Sequence, residues 1–365
     1  MKRQSYCCNP LACLLAFILC LCLVGCDFNT AAVPMGNLMI ERVLVTNTEA
    51  YYLAEDGTLY SPGADSDASA FVCYENKKSG IVAKNVADFG TMLSGGYCVT
   101  KTNELLVWNK NRLPFLQYSN NRKLQKVADG ILKAVVTENS TVYLDVHNRL
   151  CLVGSFENPP ITFSNPIVLG SNVKCFSLYQ QSKILWLDDN GTLRLYDLFT
   201  KKAECFARTA CNGLNAACAL QALSDGSIFL LADQTLYFWG DYDRLMGKEK
   251  RNEFSWKVLG EDILCFSATD DFFVMINKNN SAYAFGKCLI NGKENTTSAE
   301  YGYLENKLVC HNVKFADASS GGDVCFVDCS GKTKSFRSFD RWGFFGNSTK
   351  DLVVGLNNQP VTWSH

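Results

Sequence analysis

Histidine is scarce in this chain, and the familiar catalytic signatures are missing from it. Its 365 residues include three histidines, His147, His311 and His365. His147 falls in a hairpin corner, His365 is the terminal residue, and His311 directly follows Cys310. Neighbouring side chains on a strand point to opposite faces, so Cys310 and His311 are not expected to share a metal. No Gly-x-Ser-x-Gly, His-Glu-x-x-His, Gly-x-x-x-x-Gly-Lys or Cys-x-x-Cys sequence occurs. That removes the usual nucleophile elbow, zinc-protease helix, phosphate loop and dithiol pair. Asp65-Ser-Asp67 and Asp241-Tyr-Asp243 carry alternating carboxylates, but without further oxygen ligands or a distal glutamate they read as turn residues. No catalytic residue, metal or cofactor is expected. A surplus of one charge is absent too: 35 Lys and Arg face 36 Asp and Glu, for a net charge of −1. The densest basic pieces, Lys77-Lys78, Lys201-Lys202 and Lys248 to Arg251, fall in loops, and without a basic stripe no nucleic-acid partner is expected.

What the chain has is a repeat. Ser224-Asp-Gly-Ser-Ile-Phe-Leu-Leu-Ala-Asp-Gln-Thr-Leu-Tyr-Phe-Trp-Gly240 reads as a hairpin, two apolar runs around the polar corner Asp233-Gln234. Related units surround Gly57, Asn103, Asn148, Gly191, Asn280 and Gly331, at intervals of 43 to 51 residues. Six of the seven corners are Gly or Asn, the residues that enter positive φ most cheaply, as a strand-reversing turn requires. Ahead of the hairpins lie matching apolar strands, at Val86, Leu132, Val173, Leu264 and Val313, each preceded by a short apolar piece that closes the previous unit. Four strands per unit at a period in the forties predict an all-β fold, a single seven-bladed β-propeller over residues 39–365 with four antiparallel strands per blade. Leu352-Val-Val and Pro360 to Trp363 are expected to close the ring against Arg42-Val-Leu-Val45, since unpaired ends leave open sheet edges.

The fifth unit, Thr235-Leu-Tyr-Phe-Trp-Gly240 through Leu245-Met-Gly247, resembles the blade of the regulator-of-chromosome-condensation propellers. The resemblance extends as a profile over roughly residues 40–365 and implies the propeller fold. The family's histidine after the glycine turn is absent from every unit, so nucleotide exchange on a GTPase is not carried over with the fold.

The N-terminus is patterned differently. Lys2 and Arg3 precede the 14-residue apolar run Leu11 to Val24, and Leu23-Val-Gly-Cys26 closes it. The run is shorter than the ~20 residues a spanning helix needs. The pattern resembles the bacterial lipoprotein signal and lipobox. It implies a signal peptide over residues 1–25, acylation (palmitate among the chains) of Cys26, and a tether over residues 26–38. A location on the cell membrane, lipid-anchored at its extracytoplasmic face, follows from the resemblance. Two or more acyl chains on one residue give stable anchoring.

Of the 18 cysteines, 13 lie at or beyond Cys26. Cys98, Cys151, Cys175, Cys218 and Cys265 sit within apolar runs and read as buried thiols. If Cys325 and Cys329 share a strand, their Cα atoms stand ~13 Å apart, beyond disulfide reach. Cys205 and Cys211, read as a loop pair, form the most plausible bridge.

The longest departures from the minimal unit, Ser61 to Ile81 and Gly286 to Asn306, read as long loops. Exposed Tyr, Trp and Arg on loops suit recognition, and the candidates are Tyr242, Arg244, Tyr301, Tyr303, Arg341, Trp342, Phe344 and Phe345. The expected function is a monomeric, membrane-anchored binding or scaffold protein engaging a protein partner. An envelope-glycan enzyme and an envelope-assembly factor are the alternatives.

Overall fold

The computed structural model describes residues 39–336 apart from 46–49, 62–80, 93–94, 110, 119–122, 158–159, 180–181, 209–218, 249–253, 271, 292–299 and 319–323. The leader, Cys26 with its tether, Asp65 to Asp67, Cys211, Cys218 and the C-terminal stretch with Arg341, Trp342, Phe344, Phe345 and His365 lie outside the described residues.

Each repeat folds into its own antiparallel sheet, in which spatial order follows chain order. Six sheets have four strands; the seventh, Val313–Ala318, Val324–Asp328 and Thr333–Phe336, has three among the described residues. Six complete blades therefore stand where the sequence predicts seven. The seventh repeat's third strand ends at Phe336, where the described residues also end.

First strands contact one another around the ring: that of the seventh repeat touches those of blades 1 and 6, blade 4 touches blade 5, and blade 2 touches blade 3. This places them at the axis. Second strands such as Ile228–Ala232 and Val324–Asp328 are buried along their whole length, because each sheet is sandwiched between two others. Arg42-Val-Leu-Val45 belongs to blade 1's own first strand, paired with Ala50–Ala54; the C-terminal pieces expected to close the ring against it lie outside the described residues. The first and seventh sheets meet through Ile40, Val43, Tyr52, Cys325 and Val327. At the axis Arg42 pairs with Asp88 at 3.0 Å and lies over the rings of Phe89 and Phe315, linking three first strands. Between blades 5 and 6, Phe229 meets Phe273 in a tilted contact with centroids 5.0 Å apart, and Phe273 stacks on Phe285 of its own blade at 4.4 Å. Fully burying each such ring contributes about 1.5–3 kcal/mol.

All seven corner residues have positive φ, Gln234 included at 60°. The turn also fixes the neighbouring blade. The corner carbonyls of Gly57, Asn103, Asn148, Gln234, Asn280 and Gly331 accept the amide that opens the next repeat's first strand, with Gly331 reaching round to Ile40 at 3.0 Å. Three residues before the corner an Asp or Asn closes the turn from inside. Asp145 Oδ1 accepts from the amides of His147 and Arg149, and Asp188, Asn277 and Asp328 make the equivalent pairs.

Two loop expectations are corrected. The segment from Gly286 to Asn306 is largely a hairpin, with Gly286 opposite Leu304 and Asn291 opposite Glu300, because its two halves continue the third and fourth strands of blade 6, with a register shift between Leu289 and Asn291. Cys205 lies on a strand, Lys202–Arg208, opposite Arg194 rather than in a loop, and it is a free thiol. Cys98, Cys151, Cys175, Cys310 and Cys325 are buried thiols. Burial pushes the Cys98 thiol up to about 12 and that of Cys265 to about 11, which withholds the reactive thiolate.

Candidate binding surface

In each antiparallel blade the first-to-second and third-to-fourth connections share one end of the ring, opposite the corners. That end is where the repeats differ. In blade 5 the third strand, Thr235–Gly240, runs into a helical turn, Tyr242–Leu245. Asp241 starts the turn as N-cap, its carboxylate accepting from the amide of Arg244 at 3.1 Å. Gly247 follows at φ +71°, and a Cβ there would collide with the ring of Tyr303. Glycine is thus needed both for the backbone and for the approach of blade 6.

Tyr242 packs edge-on against Phe238, lies under the Lys257 ammonium at 3.1 Å, and donates to Glu305 at 3.2 Å. Burial, followed by the Glu305 charge, pushes its hydroxyl up to about 12. The phenol therefore stays a donor at neutral pH. Arg244 is exposed beside Asp225 at 3.3 Å, and Tyr303 is 51% exposed. Three sequence candidates, Tyr242, Arg244 and Tyr303, thus come together at the junction of blades 5 and 6. Tyr303 belongs to the strand Glu300–Cys310, not to a loop, and Tyr301 pairs opposite Leu289 on the same strand.

Phe254, Trp256 and Val258, 39%, 36% and 51% exposed, were not singled out from the sequence as surface residues. They occupy every second position along blade 5's outermost strand and its approach, so they share a face. Behind them an aromatic chain runs inward: Trp256 and Phe254 against Trp239, Trp239 against Phe206 at 5.8 Å, and Phe206 against Tyr179. The period-two spacing of large apolar residues was the available signal, but alternation alone reads as an inward-facing strand.

The paired carboxylates diverge. Asp241 caps the helical turn while Asp243 pairs with Lys248 at 3.1 Å. His311, exposed, meets Ser281 Oγ at 3.2 Å, whereas Cys310 is buried, so the two point apart as expected. At the axis Asp88 is engaged by Arg42, and Asp317 accepts from Ser267 at 2.8 Å.

No family model matches the chain, and no curated protein matches it. Solved structures do. Yeast RCC1 (Prp20), in its complex with Kap60, superposes with a TM-score of 0.51 at 12% identity, over 70% of each chain. Human WBSCR16 superposes with a TM-score of 0.54 at 10% identity, over 78% of this chain and 85% of that one. At such identities the likeness concerns architecture alone, and it agrees with the sheet order: the chain is an all-β propeller of RCC1-like build.

Proposed function

We propose that this chain is a binding propeller that engages a protein partner through the edge of blade 5, not an enzyme. The observation that carries the reading is the exposed ladder Phe254, Trp256 and Val258 on the outermost strand of that blade. An outermost strand presents unpaired backbone groups, and alternate side chains beside them supply pockets and anchors for an added extended segment. Aromatic anchors at the centre of such a surface carry most of an interface's energy. Tyr242, Lys257 and Tyr303 give the opposite face of the same blade a polar rim. The partner proposed is an extended segment of another protein; yeast RCC1, one of the structural neighbours, is seen bound to a protein, Kap60.

We further propose that the propeller is monomeric and works from a lipid anchor on Cys26 at the outer face of a bacterial membrane. The sequence of the leader supports this reading. Growth of producing cells with an alkyne-bearing fatty acid tests it: the chain is expected to be labelled and Cys26→Ser to be unlabelled. Labelling that survives the substitution refutes the anchor.

Binding is tested by photo-crosslinking the full chain in an envelope extract from a probe placed at Lys257. A discrete crosslinked protein is expected, lost at least ten-fold on Trp256→Ser. Crosslinking undiminished by that change, or none, removes blade 5 as the site.

A further inference from the structure

A concave surface lies at the same end of the ring, between blades 2 and 3. It is a cleft of about 500 Å³, within the range of small-ligand sites. One wall is the 3-10 turn Pro114–Leu116 of blade 2, and the other is the hairpin formed by Leu150–Glu157 and Pro160–Gly170 of blade 3.

Both walls are held in place by bonds that involve no ligand. Tyr118 accepts from the Asn109 amide at 2.8 Å and donates back to the Asn109 carbonyl at 2.9 Å, pinning the loop that carries the 3-10 turn. Across the cleft, Thr137 Oγ1 accepts from the Ser140 amide at 3.0 Å, and the Ser155 amide donates to the Asn139 carbonyl at 2.6 Å. Phe156 braces Phe163 edge-on at 6.4 Å. Gln117 on the rim is held in the left-handed region at φ 54°. Strain of this kind in a residue with a side chain concentrates at functional loops.

The lining is chemically mixed in a specific way. Arg112 is exposed and makes no ion pair among the described residues. Glu138 accepts from the Asn109 side-chain amide at 3.4 Å. Ser155 and Thr162 pair their hydroxyls at 3.0 Å. Phe115 and Phe163 are half-buried rings. A rigid polyol suits this set: its C–H face packs on the rings, one hydroxyl donates to Glu138, and others exchange bonds with Ser155 and Thr162. The free guanidinium adds a fork for a carboxylate. A single cation is too little for a polyphosphate, and the polar lining offers a lipid tail no home.

We infer that the cleft between blades 2 and 3 binds a carboxylate-bearing sugar, with Arg112 holding the acid and Phe115 and Phe163 holding the ring. This site is separate from the blade 5 surface, so either can fail without the other. The test uses the full chain with digalacturonic acid, a glucuronate-containing disaccharide and sialyllactose, against lactose as the neutral reference, followed by titration calorimetry. At least one acidic sugar is expected to bind saturably and lactose about ten-fold or more weaker. Arg112→Gln, an exposed change that leaves the fold intact, is expected to remove that difference. Thr162→Val, which removes a hydroxyl and keeps the shape, is expected to weaken all sugars together. No saturable binding by any of the three acids overturns the assignment. So does an affinity that Arg112→Gln leaves unchanged.

Discussion

The two ends of the ring obey different rules. At the corner end every repeat places a residue at positive φ, in four repeats an Asp or Asn three positions earlier accepts the turn's amides, and in six the corner carbonyl is handed to the next repeat. At the opposite end the third-to-fourth connections take several forms among the described residues. Blade 5 has a capped helical turn, blade 2 a 3-10 turn, and blades 3 and 6 carry strands of 11 residues. The periodic end is where sheets are tied to each other, so a change there is felt across the ring. At the aperiodic end the ties between blades are individual, such as Tyr179 to the Gly226 carbonyl, Ser224 to Asp270 and Tyr242 to Glu305, and both candidate binding surfaces sit on it.

The sharpest way to break this contrast is Gly331→Ala. Gly331 sits at φ +76°, and an added Cβ would lie 2.8 Å from Met39 Cα and 2.9 Å from the Ile40 amide nitrogen. Backbone cannot yield as a flexible side chain would, and the contact is the seam between the seventh repeat and blade 1. A loss of about 3 kcal/mol or more is expected in denaturant unfolding. Gly130→Ala is the control. Gly130 has a similar φ of +72°, but its nearest neighbour to a new Cβ is a Val146 methyl at 3.8 Å. Only the conformational cost remains, about 1 kcal/mol. Equal effects of the two changes would mean that the seam contributes nothing beyond turn geometry.

Much of the corner end was legible in the chain because φ > 0 selects residue type so strongly. Gly57, Asn103, Asn148, Gly191, Asn280 and Gly331 announce themselves; Gln234 is legible only by register, and it adopts the same φ. A second positive-φ series, Asn85, Gly130, Asn172, Asp262 and Asn312, stands immediately before the first strands, and it was missed although it uses the same residue types. It was hidden because each sits in a short polar gap between apolar pieces, where such residues attract no notice. The first strand of blade 5, Ala219–Ala222, is too short and too weakly apolar to be seen. The binding end was legible only in part. Tyr242, Arg244 and Tyr303 were found by residue type, but their convergence depends on Gly247 admitting Tyr303, a tertiary contact with no local pattern. Arg112 comes from blade 2, while Phe163 and Glu138 come from the fourth strand and the first-to-second connection of blade 3, so they meet only once the two blades pack.

A smaller effect separates the charge from the geometry of the shared turn. Burial opposes ionisation of Asp145, yet bonds from the Arg149 and His147 amides and the Arg149 side chain hold its carboxyl below the usual range. A depressed folded-state pKa stabilises the fold above the unfolded carboxylate range, near pH 4, and that contribution is lost as pH falls through the folded value. Asp145→Ala removes the turn acceptor and is expected to cost about 1–2 kcal/mol at pH 7. Asp145→Asn keeps the acceptor, as Asn277 does natively in blade 6. It is expected to cost less than half as much and to flatten the loss of stability between pH 5 and the acid limit. An Asn variant as costly as Ala at pH 7 would show that the Arg149 pairing, not the turn, is the dominant interaction.

The smallest stability change is expected at the binding end. Trp256 is 36% exposed, and its ring closes the outer end of the chain through Trp239 and Phe206 to Tyr179. Trp256→Ser removes that outer contact but opens no enclosed cavity, because one side of the ring already faces water. The fold is therefore expected to lose about 1 kcal/mol or less, against the several typical of a buried tryptophan. A midpoint of denaturant unfolding within that margin, combined with loss of the crosslinked partner, would separate a binding residue from a structural one. A loss as large as that of Gly331→Ala would instead place Trp256 in the core, and the two ends of the ring would no longer divide structure from recognition.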